Sequence, residues 1–193
     1  MRKIAIIGGI GSGKSVVSSI LRILGYGVYD CDSEAKKIMM DSVEVRTAIK
    51  NEFPLAYTNE GELDRPALAK IIFNDKSKLS KLNNIVHPAV RKDFCRWAEK
   101  QSRDIVFVET AILFESKMDA DVDEIWNVTA SEEIRIERVQ KRNGFSVQQI
   151  KERIAAQSSE IVTDKKVVEI NNNGDVSLLS QVQNLVKGSV NIN

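Results

Sequence analysis

The segment that most constrains this chain is a run of glycines that stands between an apolar stretch and a helical pattern. Ile4 to Ile7 are apolar in succession, which is typical of a parallel strand buried on both faces. Gly-Gly-Ile-Gly-Ser-Gly-Lys-Ser follows at 8–15, and apolar residues then recur at helical spacing from Ser15 to Leu24. Strand, glycine turn and helix in this order predict the first unit of a parallel α/β sheet.

Residues 8–15, the phosphate loop, fit the pattern G-x-x-x-x-G-K-[ST]. Glycines let backbone amides converge on phosphate oxygens, and the start of the following helix favours anions. The lysine can reach the β- and γ-phosphates, and the final serine hydroxyl can bind Mg²⁺. We therefore expect a nucleoside triphosphate site with Ser15 as the metal ligand, formed by Gly9, Ile10, Gly11, Ser12, Gly13, Lys14, Ser15 and Val16. The alternative is a tight strand–helix turn with an ordinary surface lysine.

Apolar runs and helical patterns alternate along the rest of the chain, which predicts further strands and helices of the same sheet. Gly25 is expected to end the first helix. The long stretch from about 33 to 103 is helical in pattern, so we expect a crossover enlarged into a helical insertion at about 40–100. The further strands are expected at Gly27–Tyr29, Ile105–Val108, Glu124–Thr129 and Val167–Asn171, with a last helix from Val176 to Val186.

Length and charge narrow the function classes. The 193 residues correspond to one domain, and 28 basic against 27 acidic side chains give a net charge of +1. This balance argues against a protein that coats nucleic acid or an anionic membrane. The short apolar run at the start is interpreted as a strand and not a signal peptide. Cys31 and Cys95 form no disulfide framework and are expected to be half-buried, so we predict a cytoplasmic protein.

Two absences favour a small-molecule kinase among the proteins that carry a phosphate loop. The chain has no Asn-Lys-x-Asp segment, which a guanine-specific switch would need to read its base. Glu109-Thr110-Ala111 follows the third expected strand, where a switch would have Asp-x-x-Gly. The chain is also short for a motor or a helicase.

A late helical segment carries three arginines on one face. Arg135, Arg138 and Arg142 are spaced i, i+3 and i+7, with Lys141 and Arg153 nearby. One interpretation is a solvated helix whose arginines pair with neighbouring glutamates. The other is a lid that closes its arginines over the transferring phosphoryl group and excludes water.

Two further segments have both a structural and a functional interpretation. In Asp30-Cys31-Asp32, either Asp32 or Ser33 could cap the next helix, or a carboxylate there could accept a proton from an attacking hydroxyl. His87, the single histidine, precedes Pro88. This pair could start a helix with proline in its first turn, or His87 could hydrogen-bond a ligand.

The ordered set of motifs resembles the dephospho-coenzyme A kinase family almost from end to end. The shared elements are the phosphate loop, Leu24-Gly25 with Asp30-Cys31-Asp32, Gly61-Glu62-Leu63-Asp64-Arg65, Leu82-Asn83-Asn84-Ile85-Val86-His87-Pro88, Ile112-Leu113-Phe114-Glu115, Arg138 with Arg142, Arg153-Ile154-Ala155-Ala156-Gln157 and Asn172-Asn173-Gly174. The chain departs from the family pattern in a few places. It has Val16 for threonine, Glu109 for aspartate, Arg135 for a frequent glutamine and Lys166-Val167 for Ala-Asp.

The resemblance implies a five-stranded parallel core, a helical region for the coenzyme A precursor and a lid at about 135–160. It implies ATP-dependent phosphorylation of the ribose 3′-hydroxyl of dephospho-CoA, with Mg²⁺ and with neither nucleic acid nor membrane as a partner. Asp32 would be the base, Lys14, Arg138 and Arg142 would stabilise the phosphoryl group, and Arg65 and His87 would bind substrate with Asp32. The alternatives are another kinase of the nucleoside-monophosphate-kinase type and a non-catalytic nucleotide-dependent binding protein.

Overall fold

A computed structural model describes residues 1–58, 60–73, 75–157 and 161–190. The chain divides into two compact units, one of residues 1–29 with 101–193 and one of residues 30–100. No helix in the described part of the chain is long and apolar enough to cross a membrane.

The first unit is built on a five-stranded parallel sheet with the order β2-β3-β1-β4-β5. Its strands are β1 (Arg2–Ile7), β2 (Val28–Asp30), β3 (Ile105–Glu109), β4 (Glu124–Thr129) and β5 (Lys166–Asn171). The helices of this unit are α1 (Lys14–Ile23), α6 (Glu132–Asn143), α7 (Val147–Ala155) and α8 (Leu178–Val190), with a 3₁₀ turn at Met118–Asp121. The second unit contains α2 (Cys31–Asp41), α3 (Val43–Glu52), α4 (Arg65–Phe73) and α5 (Lys76–Glu99), with a 3₁₀ turn at Pro54–Ala56. The predicted sheet flanked by helices is confirmed.

The sheet core follows from the apolar runs that predicted the strands. Successive buried residues of β1 face both sides of the sheet, and Ile4 pairs with Phe107 and with Glu124 across its two neighbours. Phe107 and Trp126 lie with ring centroids 5.0 Å apart at the centre. Because β1 is central and is buried from Ile4 to Ile7, the segment that follows it is fixed at the carboxyl edge of the sheet, where open α/β proteins bind ligands.

Glycine ends the first helix as predicted. Gly25 has φ +81°, and its N–H donates to the Arg22 carbonyl while the Tyr26 N–H donates to the Leu21 carbonyl. These two bonds form the Schellman pattern, which satisfies carbonyls at the end of a helix.

The long helix α5 corrects one expectation. His87-Pro88 does not start a helix, because both residues lie inside α5, which begins at Lys76 and is capped by the Asp75 carboxylate. Apolar residues at intervals of four make one buried strip along this helix: Leu82, Val86, Val90, Phe94 and Ala98. The apolar pattern continues through Pro88, so burial outweighs the backbone hydrogen bond that proline removes. Helices α2, α3 and α4 pack against α5.

Candidate active site

The phosphate loop connects β1 to α1 and has little room for side chains. Gly13 has φ +102°, and a Cβ there would overlap the side-chain amide of Asn172. A Cβ at Gly9 would overlap the guanidinium of Arg135. Gly13 is therefore required by its backbone conformation, and at both positions an added side chain would displace a neighbour that contacts the loop.

Lys14, the first residue of α1, reaches back over the loop. Its Nζ donates to the carbonyl oxygen of Gly8 at 2.6 Å and to that of Gly9 at 3.4 Å. The ammonium group therefore lies at the loop itself. Ser15 and Val16 follow on the exposed side of the first turn of α1.

Two side chains from the predicted lid bind the two backbone polar groups of one loop residue, Ile10. Arg135 Nε donates to the Ile10 carbonyl at 2.8 Å, and the Ile10 N–H donates to Gln157 Oε1 at 2.8 Å. Arg135 Nη2 also donates to Gln157 Oε1 at 3.4 Å, which closes the arrangement. Burial lowers the pKa of Arg135, and Glu132 offsets part of that shift.

Arg138 and Asn172 hold the next part of the loop. Arg138 Nη1 donates to the carbonyls of Gly11 and Ser12 at 3.5 and 3.4 Å, and its Nη2 donates to the Asn172 carbonyl at 2.9 Å. Asn172 Nδ2 donates to the Ser12 carbonyl at 2.7 Å. Asn172 directly follows β5, so its place at the carboxyl edge could have been inferred from the strand pattern.

The predicted arginine face splits into two parts. Arg135 and Arg138 reach the phosphate loop, whereas Arg142 is exposed and donates through Nε to Asn143 Oδ1 at 2.9 Å. Lys141 pairs with Glu137, and Arg153 lies over the Phe145 ring. In this structure, the end of α6 is therefore a solvated charged surface, whereas the arginines nearer its start contact the phosphate loop. Residues 158–160 of the predicted lid lie outside the described residues.

A cavity of about 720 Å³ opens beside the phosphate loop at the carboxyl ends of β1, β3 and β4. Ser12 lines it with a buried hydroxyl that has no hydrogen-bond partner among the described residues. A buried hydroxyl without a partner is costly, so this atom fits a polar group that enters the cavity. Other lining residues are Gly8, Gly9, Leu113, Phe114, Glu115, Asn127, Thr129, Arg135, Ile154 and Gln157.

The second unit holds the remaining predicted site residues, and one expectation about them is wrong. The cap of α2 is Asp30, whose Oδ1 accepts from the N–H groups of Asp32 and Ser33, so neither Asp32 nor Ser33 is the cap. Asp32 lies in the first turn with an exposed side chain. Its carboxylate is thus not used in capping its own helix.

Arg65 and His87 lie on different helices of the second unit. Arg65 begins α4, is exposed and contacts the sulfur of Met40. The Asp64 carboxylate before it caps α4 by accepting from the Ala67 N–H at 2.9 Å. His87 is half-buried on α5, beside the buried strip.

The chain supplies few groups for a metal ion of its own. Within the described ranges, no group of three or more His, Cys, Asp or Glu side chains could hold one. The exposed Ser15 hydroxyl, at the first turn of the helix that follows the loop, suits an ion that arrives with a nucleotide and keeps most of its other ligands from phosphate and water.

A central strand, a glycine-rich phosphate loop and a following helix at the carboxyl edge of a parallel sheet define a P-loop protein of the kinase type. A shikimate kinase from Acinetobacter baumannii shares this fold, with a TM-score of 0.55 at 12% identity over 100% of this chain and 96% of that one. A dephospho-CoA kinase from Campylobacter jejuni also shares it, with a TM-score of 0.68 at 21% identity over 98% of each chain.

Sequence comparison is more specific than fold. The family described as dephospho-CoA kinase matches residues 2–177, and the chain belongs to this family. A dephospho-CoA kinase from Porphyromonas gingivalis is 42% identical over 83% of this chain and 79% of its own length. A dephospho-CoA kinase from Bacteroides fragilis is 37% identical over 95% of this chain and 91% of its own length. A Thermus thermophilus crystal structure, of the protein TT1252, has a TM-score of 0.84 at 32% identity and covers 98% and 97%. The predicted family and the expected kinase class are confirmed.

Proposed function

We propose that the protein transfers the γ-phosphoryl group of ATP to the ribose 3′-hydroxyl of dephospho-CoA, giving CoA and ADP in the last step of coenzyme A synthesis. The observation that carries the proposal is the phosphate loop at the carboxyl edge of the sheet, in a chain of the dephospho-CoA kinase family. The reaction uses small molecules in the cytoplasm, without nucleic acid or membrane. Cys31 and Cys95 are not joined in a disulfide, which fits a reducing compartment.

The triphosphate lies along the loop from Gly9 to Val16, and the Ile10 N–H, which donates to Gln157, is not one of the amides that bind it. Lys14 exchanges its bonds to the Gly8 and Gly9 carbonyls for oxygens of the β- and γ-phosphates, because an ammonium group gains more from an anion than from a carbonyl. Ser15 holds Mg²⁺, which when bound neutralises charge on these phosphates.

Positioning and charge account for most of the catalysis in phosphoryl transfer. Asp32 orients the attacking hydroxyl and accepts its proton. Arg138, already at the loop, offsets charge on the phosphoryl group, and Arg142 joins it when the lid at about 135–160 closes. Arg65, His87 and the helical segment at about 40–100 bind the coenzyme A precursor.

The cavity beside the loop suits the nucleoside end of the acceptor. Its lining includes Gly8, Gly9 and the buried Ser12 hydroxyl together with apolar Leu113 and Phe114. A lining with both polar and apolar groups suits a ribose with its base.

An acceptor panel tests the proposal. The full-length enzyme with ATP and Mg²⁺ is offered dephospho-CoA, AMP or no acceptor, and products are assigned by mass spectrometry and phosphorus NMR. We expect a 3′-phosphate on dephospho-CoA and little turnover with AMP. Turnover mainly with AMP would indicate a nucleoside-monophosphate kinase, and ADP release independent of every acceptor would indicate a binding protein.

Lys14→Ala tests the loop assignment in the same assay. Removing the charge at the β/γ-phosphates should lower turnover by about 10²–10³-fold, while thermal unfolding stays near that of the wild type. Lys141→Ala removes a lysine of an exposed pair and serves as the matched control. Turnover of the Lys14 variant equal to that of this control would contradict the assignment.

A further inference from the structure

Both backbone polar groups of Ile10 are hydrogen-bonded to residues far away in the chain. Its N–H donates to Gln157, 147 residues later, and its carbonyl accepts from Arg135, 125 residues later. Both distances are 2.8 Å. Arg135 belongs to α6, and Gln157 lies just beyond the end of α7.

The loop is shaped to receive this arginine. A Cβ at Gly9 would overlap the Arg135 guanidinium, and a Cβ at Gly11 would approach the Arg135 backbone carbonyl to 2.7 Å. Buried Val139, one turn further along α6, lies 3.0 Å from the same position. The first turns of α6 therefore pack directly on the loop backbone.

The hydrogen bonds of Arg135 go to neutral groups of the protein. Its hydrogen bonds go to the carbonyl of Ile10 and to the side-chain oxygen of Gln157, and burial lowers its pKa. Placing a cation in a half-buried position beside neutral acceptors has a desolvation cost, which the geometry of the guanidinium must offset. Its separate N–H groups reach the Ile10 carbonyl and Gln157 at the same time.

We propose that Arg135 is a positioning residue that, with Gln157, fixes the backbone of Ile10 and so couples α6 and the end of α7 to the phosphate loop. The two side chains and the Ile10 backbone, which we call the Ile10 clasp, keep the loop in its phosphate-binding conformation before the nucleotide arrives. Arg135 acts through Ile10 and contributes to nucleotide affinity. This role differs from that of Arg138, whose bonds run to Gly11, Ser12 and Asn172.

The clasp should protect the Ile10 amide from exchange and strengthen nucleotide binding. The Ile10 amide proton should be protected from exchange in the nucleotide-free enzyme, because Gln157 accepts its hydrogen bond. Loss of the clasp should weaken ADP and ATP binding, because the loop must then be ordered at the expense of binding energy. The KM for ATP should change by a larger factor than kcat, because the hydrogen bonds of Arg135 go to Ile10 and Gln157 of the clasp.

The experiment compares the full-length wild type with Arg135→Ala, Gln157→Ala, the double variant and Arg135→Lys. Amide exchange at Ile10 is followed by NMR without nucleotide, ADP affinity by calorimetry, and kcat and KM for ATP with dephospho-CoA. We expect each alanine variant to speed Ile10 exchange, to raise the ADP Kd and the KM for ATP about tenfold, and to lower kcat by a smaller factor. The double variant should be little worse than either single one, because both break the same clasp.

Arg135→Lys and Lys141→Gln complete the design. A lysine can still reach one carbonyl but lacks the second donor group, so it should give intermediate exchange and affinity. Lys141 lies in an exposed pair on the same helix, and its variant should match the wild type in every measurement. Unchanged Ile10 exchange and ADP affinity in both alanine variants would overturn the clasp, as would fully additive losses in the double variant.

The inference uses the proposed reaction only for its kinetic readout. If dephospho-CoA proved not to be the acceptor, Ile10 exchange and ADP affinity would still test the clasp. If the clasp failed while dephospho-CoA turnover was normal, the proposed function would stand unaffected.

Discussion

Asp32 and Asp30 stand two positions apart and have separable roles. Asp30 caps α2 through the Asp32 and Ser33 N–H groups, and its Oδ2 accepts from the Ser33 hydroxyl at 2.9 Å. The Asp32 side chain is exposed in the first turn of α2 and does not cap the helix. A loss of activity on changing Asp32 therefore cannot be explained by loss of the helix cap.

Asp32→Asn should lower kcat by about 10²–10⁴-fold, the usual contribution of a positioned base, because an amide cannot accept the hydroxyl proton. The midpoint of urea unfolding should hardly move, and ADP should still bind. Asp30→Asn is the matched control, since asparagine caps helices about as well as aspartate, and it should keep most activity and stability. Full activity of the Asp32 variant with dephospho-CoA would contradict its role and direct attention to Glu109.

The sequence could not decide which residue caps α2. Asp30, Asp32 and Ser33 are all good capping residues, and any of them could have started the helix. The choice depends on where β2 ends, and Asp30, its last residue, has the extended backbone (φ −98°, ψ 103°) that a cap needs. That end point is set by pairing within the sheet, which is not visible in a local pattern.

At the scale of elements, helix α6 shows why spacing alone was ambiguous. The i, i+3, i+7 spacing places three arginines on one face, but the helix contacts the loop only near its start. Buried Val139 marks the packed part of α6, and its last residues are exposed. The glutamates of α6 do not indicate which part of the helix contacts the loop, because charged residues are common both on solvated surfaces and on surfaces that bind a ligand.

Arg138→Ala and Arg142→Ala test how the lid works. If both arginines act on the transition state, each change should lower kcat by about tenfold or more, and should lower it by a larger factor than it raises the KM for ATP. Arg138→Ala should have the larger effect because its side chain already lies at the loop. Lys141→Ala controls for loss of a charge on α6. Wild-type kinetics for Arg142→Ala would restrict the catalytic role to the start of the helix.

Helix α5 shows a second limit of element-level prediction. His87-Pro88 carries a true signal for a helix start, since proline is favoured in the first turn. The buried strip from Leu82 to Ala98 extends through it, and tertiary burial stabilises the helix more than one lost backbone bond destabilises it. Both signals were present in the sequence, and only their relative energies decide between them.

At the scale of the whole molecule, the strands of the sheet were predicted to within about two residues at each end. Apolar runs separated by turn residues and helical patterns were sufficient, because the central strands β1, β3 and β4 are largely buried and have a distinctive composition. The phosphate loop could also be predicted from the sequence, because all of its residues lie in one short segment. The Ile10 clasp and the Arg138–Asn172 contacts were not, because each joins residues more than 30 positions apart.

At the opposite, amino-terminal edge of the sheet, a cluster of charged side chains surrounds one buried carboxylate and lies away from the candidate active site. Glu124, at the start of β4, accepts from the Trp126 indole N–H at 2.8 Å and pairs with Arg2 and with Lys166. Its side chain is 2% exposed, whereas those of Arg2 and Lys166 are 26% and 58% exposed. The cluster ties the first residues of β1, β4 and β5 together, so its contribution is to stability.

Glu124→Ala should therefore lower the free energy of unfolding by about 2–4 kcal/mol and leave kcat and KM unchanged well below the unfolding midpoint. The value is smaller than the roughly 3–5 kcal/mol typical of broken buried pairs, because Arg2 and Lys166 can be hydrated once the carboxylate is gone. What remains is the unpaired, buried Trp126 N–H and the space left by the side chain. Glu124→Gln keeps an acceptor for the indole and should cost about half as much.

Urea unfolding with linear extrapolation measures these differences, and Glu169→Ala is the matched control. Glu169 is an exposed glutamate on β5, and its loss should change stability by less than about 0.5 kcal/mol. A Glu124→Ala protein as stable as this control would refute the role of the cluster. Because a parallel sheet binds its ligands at the carboxyl edge, a change at the amino-terminal edge should not affect catalysis. A large drop in kcat of a fully stable Glu124 variant would therefore contradict the separation of the two edges in function.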